Sequence, residues 1–417
     1  MQLPDRNFSA ILGAQFLTAL ADNALLFAAI ALLQTLSAPV WQIPFLQQSF
    51  ALAAIVLAPF VGPMADEFPK SRVMLISNTI KCLGCFSMLL GLNPVVAYGL
   101  VGVGSALYTP AKYGILTEYF QAEHLVWANG WMEGLTVAAI IIGAIVGGYL
   151  TGTQIDQMVA RGLATDLMGL HLAIESTPAF AITVILLIYA SASIVNLYIP
   201  TLPVHHIPPR HTPGFLIKDF YRVSRLLWTD PLGQTSLAIT TLFWGAGSTL
   251  RLVILAWGMA ILNLSLEHAT ALTAVVAVGV GIGASIAGAS VPLDHAVRVI
   301  RVGILMGITV GVTVFITDWR LAIVLLLFIG MMGGYFLVPM NALLQHRGQM
   351  LMGAGHSIAV QNCNENLGIL LILGAYALML KADWGIQASA LALGAFLALM
   401  TALMAYLHGH DQDQGQY

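Results

Sequence analysis

What most limits the folds open to this chain is a series of apolar runs, each about as long as a lipid bilayer's hydrocarbon core is thick. A core of about 30 Å is crossed by roughly 20 residues at 1.5 Å rise per residue. Runs of that length lie near 8–36, 43–65, 72–92, 95–116, 129–152 and 178–200, and again near 233–262, 268–291, 298–316, 320–345, 354–380 and 385–407. In lipid every backbone donor and acceptor must be satisfied within the segment, so such runs are helices. The sequence therefore predicts an all-α integral membrane protein of about twelve spanning helices. Composition agrees, with 59% hydrophobic and only 8% charged residues, where a soluble chain carries about 25%. The first run is too long for a signal-peptide core and lacks a small-residue cleavage site, so it is expected to remain a span. A net charge of −3 gives no footing for a nucleic-acid partner.

The runs fall into two sets of six. Between them "PTLPVHHIPPRHTPGFLIKDFYRVSRLLWTD", residues 200–230, is the one long polar, Pro-rich stretch. Pro lacks the backbone donor and breaks helices, so its first part reads as linker. From Phe215 onward, Phe215, Leu216, Phe220, Val223, Leu226 and Leu227 share one helical stripe, with Lys218, Arg222 and Arg225 off it. That pattern predicts a basic amphipathic helix lying at an anionic membrane surface. The expected divisions are an N-terminal six-helix half (1–200), a cytoplasmic linker (201–232), a C-terminal six-helix half (233–408) and a polar tail (409–417). His205, His206 and His211 read as solvated linker rather than a metal site.

Orientation follows from the placing of Lys and Arg, which favour the cytoplasmic side. With both termini cytoplasmic, Arg6, Lys70, Arg72, Lys112, Arg210, Lys218, Arg222, Arg225, Arg298, Arg301 and Arg347 fall on or near that side, and only Arg161, Arg320 and Lys381 fall outside. Parallel six-span repeats place a substrate site near mid-membrane, at the repeat interface.

Charges inside spans cost about 2.5–3.5 kcal/mol each at the bilayer centre, so they face protein or water and are usually functional. They are Asp22, Lys81, Glu133, Arg251 and Glu365, with Lys112 near the end of the fourth span. Lys81, on a span expected to be peripheral, reads as a packing charge, and Glu133 fits either role. Asp22, Arg251 and Glu365 read as substrate or coupling residues. The stretch "VQNCNEN" crowds Gln361, Asn362, Asn364, Glu365 and Asn366 into two turns, and is expected to face a wet cavity. Arg251 offers a planar fork for phosphate or carboxylate, and Lys112 a second cation. Asp22 and Glu365 suit an ammonium group or a coupling cation, sodium or proton. With greasy walls around them, these residues fit an anionic or zwitterionic amphiphile better than a sugar. Cys82 and Cys85 form a CxxC with no second pair, so they read as small residues on one helix face, and no metal site is expected. His408 and Asp413 stand at the H-x4-D spacing of acyltransferases, but only four residues follow, so this is a chance feature and no enzyme is expected.

The loop "GPMADEFPKSR", with Gly62, Asp66, Lys70 and Arg72, resembles the signature loop of the major facilitator superfamily, where an Asp and basic residues clamp helix ends in one conformational state. The matching loop of the second half, from Ser290, keeps Asp294, Arg298 and Arg301 but lacks the leading Gly. The stretches 14–33, 100–116, 243–257, 334–348 and 353–366 ("GAGHSIAVQNCNEN" the last) are together similar to the bacterial lysophospholipid transporters of that superfamily. The resemblance implies a major facilitator fold in the inner membrane, carrying lysophospholipids to the cytoplasmic leaflet for reacylation. Lyso-phosphatidylethanolamine and lyso-phosphatidylglycerol are the implied substrates, with lyso-cardiolipin open and choline headgroups disfavoured. It also implies polar recognition by Asp22, Asn23, Lys112, Arg251 and Glu365, beside Gln361 and Asn362. A separate acyltransferase/acyl-carrier-protein synthetase would be the partner, among membrane lipids. The stretch 153–177 is longer than the loop such proteins lead one to expect. An exporter of drugs or other amphiphiles is the alternative, since it tolerates the same greasy cavity.

Overall fold

The computed structural model describes residues 5–38, 42–160, 176–202, 212–264 and 266–413. The three linker histidines and most of the 153–177 stretch lie outside the described residues. Helices α1 (Arg6–Thr35), α2 (Gln42–Glu67), α3 (Lys70–Leu89), α4 (Pro94–Tyr119) and α5 (Leu125–Leu150) are followed by a short α6 (Thr153–Ala160) and by α7 (Thr177–Asn196). After the linker come α8 (Pro213–Thr229), α9 (Pro231–Ala260), α10 (Leu266–Ser290), α11 (Ile300–Thr313), α12 (Trp319–Leu351), α13 (Ala354–Lys381) and α14 (Ile386–Asp413). No strand occurs among the described residues.

Local chemistry sets the ends of these helices. The Asp5 carboxylate caps α1 by accepting from the Phe8 amide at 2.8 Å, and Asp318 caps α12 in the same way through Arg320. Gly353, at a φ of 100°, makes the left-handed break that ends α12 and starts α13. Eleven described helices are long and apolar enough to cross a membrane. The expected fourth span forms a helix of 26 residues that is not among these, and its second half carries Tyr108, Thr109, Pro110, Lys112 and Tyr113. Four of those five are buried, so the helix keeps its polar groups away from lipid.

Two apolar cores organise two compact units. The first unit, residues 2–115 and 138–209, packs α7 against α1 and α3 around Leu25, Leu33, Met88, Val101 and Ile185. Close approach depends on small residues, since a Cβ at Gly143 or Gly147 of α5 would meet the backbone of Leu20 or Ala24 of α1. The second unit, residues 116–137 and 210–417, is centred on Leu242, Trp257, Met306, Leu326 and Leu393. Its tightest pair is α10 with α12. A Cβ at Gly279 or Gly283 of α10, or at Gly330 or Gly334 of α12, would fall on a carbonyl of the facing helix. These are two small-xxx-small stripes facing each other, as spanning helices use when lipid supplies no hydrophobic drive between them.

The amphipathic helix α8 corrects one expectation. Val223 and Leu227 of its apolar stripe are buried against Leu237, Leu344 and Val360 of the second unit, with Phe220 packed beside them, so this stripe covers protein rather than lipid.

Candidate functional site

In the first unit, the buried charges gather around Asp22 of α1. Lys81 of α3, fully buried, places Nζ 2.8 and 2.7 Å from the two Asp22 carboxylate oxygens. Tyr189 of α7 donates its hydroxyl to the same carboxylate at 2.5 Å. The Lys81 ammonium also lies 5.1 Å from the Tyr108 ring centre and 5.7 Å from that of Tyr189. An ammonium in this position is held by one full counter-charge and two aromatic faces, which offsets its removal from water. One turn from Asp22, Thr18 and Asn78 hydrogen-bond at 3.2 and 3.1 Å, again joining α1 to α3. Lys81, read as a packing charge, thus has as its partner Asp22, read as a substrate or coupling residue. The Asp22 side chain keeps 19% exposure beside the pair. Asn23 turns its amide back to the Ala19 carbonyl at 2.8 Å. Lys112 of α4 is buried, 4.4 Å from the Tyr113 ring centre.

The second unit holds a chain of buried polar groups. Asn129 of α5 and Gln345 of α12 exchange two hydrogen bonds of 2.8 Å through their amides. Nearer mid-helix, Asn341 donates to Glu133 at 3.3 Å and accepts from Gln361 at 2.9 Å, and Gln361 also donates to Glu365 at 2.7 Å. Gln361 and Glu365 are therefore buried in a network, not set out in a wet cavity. Asn364 and Asn366 return their amides to the backbone of α13, at Val360 and Asn362, which uses up much of the hydrogen-bonding capacity crowded there. Asn362 is half-buried.

Arg251 stands apart. It lies on α9, about 30 Å along the helix from Pro231 at 1.5 Å per residue. It is exposed, and among the described residues it has neither a hydrogen bond nor an ion pair. A guanidinium on a spanning helix is costly against lipid, so such a group faces protein, water or the membrane interface.

Of the expected gate residues, Asp66 and Lys70 are buried and 3.6 Å apart across the short break between α2 and α3, with Gly62 buried one turn earlier and Arg72 exposed. In the second copy Asp294 lies 3.7 Å from His295, and Arg298 is exposed. Sequence reasoning missed Tyr108, Tyr189, Thr18, Asn78, Asn129 and Gln345. The one signal for them was polar groups inside apolar runs, each of which must find a partner when buried.

Residues 11–371 match the family model for the Major Facilitator Superfamily. The chain is 44% identical over 381 residues to "Lysophospholipid transporter LplT" of Serratia proteamaculans, covering 91% of this chain and 90% of that protein. It is 42% identical to the protein of that name from Yersinia pestis, with 91% and 88% covered. Among solved structures it resembles FucP, a Major Facilitator Superfamily transporter in the outward conformation, with a TM-score of 0.71 at 10% identity over 96% of this chain and 98% of that one. The human organic anion transporter MFSD10 gives a TM-score of 0.70 at 15% identity, with 98% and 100% covered. At these identities the structures speak for the fold alone.

Proposed function

The chain belongs to the major facilitator superfamily and to its lysophospholipid transporter family, and we propose that it carries lyso-phosphatidylethanolamine and lyso-phosphatidylglycerol across the bacterial inner membrane to the cytoplasmic leaflet, by alternating access. The observation that carries this reading is Arg251, an exposed guanidinium on a spanning helix with no partner among the described residues. Its planar fork pairs with two phosphate oxygens at once, and in a site of low dielectric such charge-assisted bonds are strong. In the first unit Lys112 offers a further cation, and Leu- and Ile-rich walls take the single acyl chain. Asp22 has a different part. Its carboxylate is held by Lys81 and Tyr189, so a headgroup ammonium or a coupling cation, sodium or proton, has to compete with Lys81 for its exposed edge. Half-buried Asn362 offers a polar group from α13, while Gln361 and Glu365 brace that helix from within their own network. The chemistry needs no catalytic step. Reacylation falls to a separate acyltransferase/acyl-carrier-protein synthetase at the cytoplasmic face, where both termini of this chain lie.

The test supplies labelled lyso-phosphatidylethanolamine from outside to spheroplasts that lack their own transporter and keep the acyltransferase. Expression of this chain should yield labelled diacyl lipid, and Arg251→Ala should lower the yield about tenfold or more, as loss of a contact worth ~1.5–3 kcal/mol implies. Equal yield from both would discard Arg251 as the anchor. No yield from either, with protein in the membrane, would overturn lysophospholipid import in favour of amphiphile export.

A further inference from the structure

Helix α8 leaves a second face uncovered, opposite the stripe that packs on the protein. At about 100° per residue, Ile217, Tyr221 and Trp228 fall within an arc of about 40°, and Arg225, Lys218 and Arg222 follow over the next 100° or so. All six are exposed, Tyr221 at 72% and Ile217 at 53%. The one acidic residue of the helix, Asp219, lies on the other side, 3.3 Å from the His356 imidazole and bonded to Arg222 at 2.5 Å. The open face therefore sets an aromatic and aliphatic edge beside a cationic edge, on which Arg222 is answered by Asp219 and Lys218 and Arg225 are not bonded to it.

Two further facts fix where this face lies. Asp230 ends α8 and at the same time caps α9, accepting from the Gly233 amide at 2.8 Å, so no linker separates α8 from a spanning helix. The helix must then lie at the level where α9 enters the bilayer. Its rotation is set as well, because Arg347 of α12 grips Asp230 at 2.5 and 3.1 Å while Asp219 meets His356 of α13. A fixed face at the bilayer surface, with Trp and Tyr beside Lys and Arg, has the make-up of a segment seated in anionic headgroups.

We infer that the outer face of α8 is a docking surface for anionic phospholipid, with Tyr221, Trp228 and Ile217 entering the headgroup layer and Lys218 and Arg225 pairing with lipid phosphates. The stripe first visible in the sequence thus serves the protein, and its opposite serves the membrane. The seat is independent of the transported substrate, and it makes the anionic content of the leaflet an input to the protein.

A spin label at Tyr221→Cys, in full-length protein with Cys82, Cys85 and Cys363 replaced by Ala, reads this seat in reconstituted vesicles. In phosphatidylethanolamine with phosphatidylglycerol, oxygen should relax the label and a water-soluble nickel chelate should not. Replacing phosphatidylglycerol by phosphatidylcholine, or introducing Lys218→Gln with Arg225→Gln, should shift the label toward the chelate. Ile217→Cys should read the same if the first site labels poorly or its variant fails to fold. Access of the chelate in every vesicle would overturn the inference. So would shielding that ignores lipid charge, or shielding from both reagents, which would mark a protein partner on this face.

Discussion

A single carboxylate, Asp22, shows how a residue's role depends on what the fold sets beside it. Asp22 and Lys81 are both visible in the sequence as charges within apolar runs, yet they are 59 positions apart and nothing local links them. Pairing arises only when α1 and α3 pack, and that is settled by the small residues and the core around them. Tyr189 was invisible for a related reason, since a Tyr in an apolar run looks like any large hydrophobe until its hydroxyl needs a partner. Arg251 was legible because an arginine in a span has few places to go. The pair makes a clear prediction. Lys81→Met leaves Asp22 with its ammonium removed and should destabilise the protein by about 3–5 kcal/mol, whereas Asp22→Asn with Lys81→Met should recover most of that. Thermal unfolding of the purified variants in detergent checks it, and equal loss in the single and double variants would show that the pair does not hold α1 to α3.

At the scale of elements, most spans begin and end close to where apolar runs begin and end, because lipid thickness sets both. The departures have a physical cause. The fifth run was read from Asn129 and the tenth to Gln345, but the helices start at Leu125 and continue to Leu351. Asn129 and Gln345 satisfy each other, so helix persists through residues whose polarity suggests a loop. The packing of α10 on α12 was legible in principle, from Gly279 and Gly283 and from Gly330 and Gly334 at four-residue spacing. Gly283→Leu should cost about 1–3 kcal/mol or more through forced separation of the two helices. Gly374→Ala on α13, where a Cβ meets nothing within 4 Å, should be neutral or gain up to about 1 kcal/mol in helix propensity. The melting temperatures of the two variants against the parent decide this, and equal effects would deny that close approach holds this pair.

For the whole molecule, membrane class and family were readable because both rest on features repeated along the chain, the apolar runs and the signature loop. The site was readable only as a set of residue types. Which groups pair, which point at water and which return to their own helix depend on packing that no periodicity records, as Gln361 and Glu365 show by lying buried in a network. Orientation rests on Lys and Arg placement and predicts both termini in the cytoplasm. A fluorescent protein fused after Tyr417 should therefore mature and fluoresce, and alkaline phosphatase fused there should be inactive; the reverse pair of results would invert the topology.

Asp230 has one more consequence. With the same residue closing α8 and opening α9, and Arg347 holding it, the joint has no slack. Any turn or tilt of α9 must therefore be handed to α8, as a shaft hands its rotation to a dial. A reporter dye on α8 would then read the movement of α9 without touching that helix.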